Sequence, residues 1–145
     1  MADSRQTYEN HGQYRPEYHI VVFFTLLANF AWATYQLTHG ITGASVVAFL
    51  MSVALVVMFF SLRTQILTVQ DRVIRLEMRQ RFREVLGADL AARANTLPLR
   101  QIIALRFASD AELTTLVGDV LAGQVSAPKE IKQRVKDWQA DHLRA

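Results

Sequence analysis

The chain has 145 residues, enough for one modest domain, of which 51% are hydrophobic and 20% charged, with a net charge of +3. Cysteine is absent, which excludes disulfides, thiol catalysis and cysteine metal sites. No Lys, Arg, Asp or Glu falls in the 45 positions between Glu17 and Arg63, whereas residues 63–86 carry six arginines against Asp71, Glu77 and Glu84. Positive charge concentrated directly after an uncharged run suits a membrane-adjacent segment better than a nucleic-acid surface.

Residues 1–19 are polar and aromatic, with Tyr8, Asn10, His11, Tyr14, Arg15, Pro16, Tyr18 and His19. They read as an interfacial, cytoplasmic lead-in, Tyr14 and Tyr18 lying at headgroup depth and Pro16 opening the first helix. A metal site from His11 and His19 is the sharper alternative, but two histidines with no fixed turn between them carry it weakly.

Ile20 to Thr38 supplies 19 residues without a charge, the length of a slightly short or tilted transmembrane helix. A cleaved signal peptide competes, since Ala31-Trp32-Ala33 has a small-x-small pattern. The long polar lead, the bulky Trp32 and the second apolar run that follows at once speak against it. Residues 39–43 form a turn with two glycines and no basic residue. Ala44 to Leu62 is the second span, and no glycine or proline interrupts the 43 residues from Ala44 to Leu86. The expectation is one helix about 65 Å long, running from the membrane into a stalk. All 16 basic residues lie on the side of the two termini, so the positive-inside rule places both termini in the cytoplasm and the turn outside.

Two polar side chains interrupt the spans. Asn29 and Ser52 lie at similar depth in an antiparallel pair, and an amide in hydrocarbon needs a partner: Ser52, a carbonyl or another subunit. Helix contact is the expected role, because no intramembrane charge marks an ion or proton path. Ala44, Ala48 and Ser52 form a small-residue stripe that permits close helix approach. Phe23 and Phe24 are expected at the level of Phe59 and Phe60, and Trp32 is deep enough to suggest a protein contact.

The stalk, 63–86, carries two apolar stripes. Leu62, Ile66, Val69, Val73 and Leu76 follow the 4-3 spacing of a coiled-coil seam, which fails at Gln80 and Arg83. Leu67, Ile74, Met78, Phe82 and Val85 form a second face about 140° away at 100° per residue. Two stripes predict packing on two sides, against a neighbouring copy and against the chain's own C-terminal helices. Arg72, Arg75, Arg79 and Arg83 form a basic ridge between the stripes, suited to anionic lipid or an acidic partner. The plainer reading is a solvated face with local pairs such as Asp71–Arg75 and Glu77–Arg81.

Gly87 is placed to end the stalk as a C-terminal glycine. Residues 87–145 read as three short helices. Thr96 caps one that runs to Phe107. Ser109 and Glu112 form a capping box opening a second to Leu121, stopped by Gly123. Pro128 opens a third that presents Ile131, Val135 and Trp138 on one face. Lys129, Lys132 and Lys136 on that last helix raise a helix-turn-helix reading, which the near-neutral segment does not support.

No Gly-rich phosphate loop, nucleophile elbow or metal-ligand cluster occurs. The expectation is therefore a non-enzyme without cofactor, metal or small-molecule substrate. The stretches Asn10-His11 with Tyr14, Pro16 and His19, Val69 to Glu77, Arg100 to Asp110, and Pro128 to Trp138 resemble a family of small two-span bacterial membrane proteins catalogued as a domain of unknown function. The resemblance implies an all-α fold, a two-helix transmembrane hairpin with a cytoplasmic helical tail, and no particular activity.

Three functions are compatible with these features. The leading expectation is an inner-membrane protein that self-associates or serves as a small subunit or scaffold of a membrane complex. The others are a homo-oligomeric pore or mechanosensitive-type channel, and a membrane-tethered regulator binding a cytosolic partner through 87–145.

Overall fold

The computed structural model describes Tyr8 and residues 17–140. The side chains of His11, Tyr14, Pro16 and His19 lie outside what it describes. A π-helical segment, Glu17–Val22, leads into α1 (Phe23–His39). There follow α2 (Gly43–Val85), α3 (Ala88–Ala94), α4 (Leu99–Leu105), α5 (Asp110–Leu121) and α6 (Pro128–Arg134). The fold is all-helical, with no strand among the described residues. Two compact units form, and their boundary between Leu67 and Thr68 falls inside α2.

In the first unit, α1 and the start of α2 meet through aromatic rings. Phe30 lies 5.7 Å from Phe49, and Phe23 lies 6.2 Å from Phe59. Tyr18 stacks on Phe59 at 4.4 Å and donates its hydroxyl to the Phe59 carbonyl at 2.9 Å. The Arg63 guanidinium lies 5.7 Å from the centre of the Tyr18 ring, within cation–π range. Only Gly40, Ile41 and Thr42 separate the helices. Thr42 and Ser45 cap α2 reciprocally: Ser45 N–H donates to Thr42 Oγ1 at 3.1 Å, and Thr42 N–H donates to Ser45 Oγ at 2.9 Å. This is a capping box with serine in place of the usual glutamate.

The second unit is organised on one face of α2. Ile74, Met78, Phe82 and Leu86 are buried in a single core with residues of α3 to α6. Phe82, Ile102, Leu105, Phe107 and Ile131 lie at its centre, each 0–1% exposed. Four short helices, none long enough to be stable alone, become stable by sharing this apolar stripe.

The tail departs from the expected helices in four places. An additional helix, α3, precedes the others; its buried side chains are only Ala91 and Ala94, so it lacks the large apolar stripe that signals a helix. Thr96 caps no new helix: its hydroxyl donates to the Arg93 carbonyl at 2.7 Å and closes α3, and α4 starts after Pro98. Gly87 is extended rather than left-handed and serves as the N-cap of α3, whose Ala91 N–H donates to the Gly87 carbonyl at 2.9 Å. The last helix ends at Arg134, and Trp138 belongs instead to an antiparallel bridge with Ala108. The physical reason is competition for backbone donors: Ser109 N–H donates to the Asp137 carbonyl and Gln139 N–H to the Phe107 carbonyl at 2.8 Å.

The Ser109–Glu112 capping box opens α5, and the helix ends at Leu121. Gly123 has φ +73, Gly123 N–H donates to Val120 O and Gln124 N–H to Asp119 O, the paired bonds of a Schellman stop. Phe82→Ala removes the fully buried ring that α2 contributes to the core. We expect it to cost about 3–5 kcal/mol in chemical unfolding of the full chain in detergent.

Candidate interaction surface

Arg81 joins the core face of α2 to the tail. Its Nε donates to Asp110 Oδ1 at 2.7 Å, its Nη1 to the Arg106 carbonyl at 3.1 Å and its Nη2 to the Ala108 carbonyl at 2.6 Å. The two carbonyls lie just beyond the end of α4, where helix geometry leaves acceptors without intrahelical partners. Asp110 is the first residue of α5, where a negative charge is favoured by the helix dipole. A rigid guanidinium fork thus fixes the α4–α5 junction against α2.

Glu112 ties the chain end to the same junction. Besides accepting from Ser109 N–H at 3.3 Å, its carboxylate accepts from Lys136 N–H at 3.1 Å and Asp137 N–H at 3.3 Å. Trp138 then lies 4.5 Å from Phe107. The extended end borders a groove of about 400 Å³, lined by Val69, Val73, Glu77, Arg81, Arg106 and Gln139 among others.

The other stripe of α2 is largely exposed among the described residues. Ile66 is 49% exposed, Val69 60%, Val73 46% and Leu76 65%. Of the basic ridge, Arg72 and Arg83 are exposed, and Arg75 and Arg79 are half-buried. Ile74, Met78 and Phe82 are thus buried against the tail, whereas Ile66, Val69, Val73 and Leu76 stay about half exposed or more among the described residues, Val69 and Val73 lining the groove that the chain end borders.

In the first unit Asn29 and Ser52 differ in burial. Asn29 is exposed, while Ser52 is buried and donates to the Phe49 carbonyl at 2.7 Å. Ala44 and Ala48 are exposed, and the buried small residues of α2 are Ser45 and Ser52, two turns apart. Trp32 is 61% exposed and stacks on Tyr35 at 5.6 Å.

Two residues escaped the sequence reading. Arg81 was expected to pair locally with Glu77. Its signal is position: it lies beside Met78 and Phe82, on the side of α2 that faces the tail. Ser45 is signalled by the Thr42-x-x-Ser45 spacing at the helix start.

Among the described residues the protein is all-helical, with two stretches, Ile20–His39 and Gly43–Val85, containing windows long and apolar enough to cross a membrane. The chain belongs to DUF6526, a family of unknown function whose model matches residues 1–145. No curated protein and no solved structure matches it.

Arg81→Ala breaks three charge-assisted hydrogen bonds at once. We expect a loss of about 2–3 kcal/mol in unfolding of the full chain followed by near-ultraviolet dichroism, with little recovery in Arg81→Lys, whose ammonium lacks the fork.

Proposed function

We propose that this is a non-enzymatic integral protein of the bacterial inner membrane. It crosses twice, as a hairpin of spans 20–38 and 44–62, with both termini in the cytoplasm. It self-associates, or serves as a small subunit or scaffold of a membrane complex. The observation that carries this reading is the uncovered stripe of Val69, Val73 and Leu76, on a helix whose other apolar face is occupied by the chain's own tail. An apolar face left open beside a completed core is the usual mark of a contact with another protein.

The membrane assignment is supported by the two apolar stretches and their exposure. Residues such as Val47, Leu50 and Val57 are 60–62% exposed on α2, which suits lipid contact and is costly in water. The orientation is supported by the arginines that follow Leu62. Contact with anionic headgroups through Arg72, Arg75, Arg79 and Arg83 belongs to the same reading.

Native mass spectrometry of the full chain released from its own membrane in lipid nanodiscs is expected to give multiples of the 16.5 kDa mass or a defined complex. A strict monomer without copurifying protein overturns the proposal. Protease added to inside-out vesicles is expected to remove residues 87–145, and protease added to right-side-out vesicles to leave them intact.

A further inference from the structure

Val69, Val73 and Leu76 have a register as well as exposure. In the heptad that their 4-3 spacing defines, Ile66 and Val73 are a positions and Val69 and Leu76 are d positions. The residues flanking the seam then divide by charge. Arg72 and Arg79 are both g positions on one edge, and Glu77 and Glu84 are both e positions on the other. Ile74, Met78 and Phe82, which hold the tail, fall at b, f and c, away from the seam, and among the described residues the docked tail leaves Val69, Val73 and Leu76 46–65% exposed, its extended end bordering a groove beside Val69, Val73 and Glu77.

We infer that α2 pairs with α2 of a second copy as a parallel, in-register, two-stranded coiled coil through Val69, Val73 and Leu76, with Arg72 and Arg79 of each copy facing Glu77 and Glu84 of the other. In a parallel pair a g residue meets the e residue five positions further along the opposite helix. Arg72 plus five is Glu77, and Arg79 plus five is Glu84, so both pairings across the seam join opposite charges. The two-fold symmetry makes each contact twice. An antiparallel pair would set g against g and e against e, bringing arginine to arginine and glutamate to glutamate. β-Branched Ile66 and Val73 at a with Leu76 at d fit two strands, and Val69 at the other d position does not add to that preference. Among the described residues no ion pair involves Arg72, Glu77 or Arg79, and Glu84 accepts only a hydrogen bond from Gln80 at 2.9 Å. Gln80 at a and Arg83 at d end the apolar seam. The inference rests on the proposed self-association and supplies its geometry.

The absence of cysteine makes the test direct. Single substitutions V69C, V73C and L76C, with R75C at c as control, are oxidised in the full chain in native membranes. Only a and d positions bring Cα atoms of two parallel strands within disulfide reach, so crosslinking at the three seam sites is expected to be roughly tenfold faster than at R75C. The double variant R72E/R79E is expected to lose the V73C crosslink, and adding E77R/E84R to restore it, which no folding defect would do. Dimers in nanodiscs with crosslinking that does not favour the seam, or with no rescue by the charge swap, overturn this seam and leave self-association standing. A monomer by mass and by crosslinking overturns both.

Discussion

The guanidinium of Arg81 determines how the C-terminal helices are held. Three donors in one plane meet two carbonyls beyond the end of α4 and the first carboxylate of α5, on a side chain only 22% exposed. The apolar contacts of Phe82 and Met78 supply most of the driving force, but they are non-directional and specify no orientation. The Arg81 fork converts a sticky face into a defined seat. Glu112 extends that definition to the chain end by capturing the backbone donors of Lys136 and Asp137, which draws Trp138 onto Phe107.

The tail buries one apolar face of α2, while the stripe of Ile66, Val69, Val73 and Leu76 stays largely exposed among the described residues. A helix with a single apolar stripe would be satisfied by the core alone. The exposed stripe and the charged edges beside it are the surface on which the proposed self-association rests. The basic ridge is divided in this arrangement. Arg72 and Arg79 flank the exposed stripe, whereas Arg75 lies further round the helix and is half-buried.

The first unit follows a different logic. Its helices touch through large rings at widely spaced levels, and much apolar area on both faces outward. In water such an arrangement would collapse further; in hydrocarbon it need not, because lipid tails solvate leucine and valine as well as a protein core does. The Thr42–Ser45 box satisfies the helix-start donors locally, without help from a distant element.

Features encoded within a few residues were legible in the sequence. The two long apolar helices, the Ser109–Glu112 box and the Gly123 stop follow from composition and short spacing, because hydrophobicity and capping act over one or two turns. Features depending on distant partners were not. α3 has only alanines to bury and shows no stripe. Val135 leaves the last helix because Glu112, more than twenty residues earlier, offers its backbone neighbours better acceptors. Arg81 resembles its ridge neighbours in sequence, and only the return of the chain 25 to 29 residues later turns it into an internal contact. The sequence by itself determined that this chain has two membrane-length apolar helices, the second of them ending in a segment with two apolar stripes. The tertiary structure alone decided which face the tail takes and which stays open, because that choice rests on directional bonds between residues far apart in the chain.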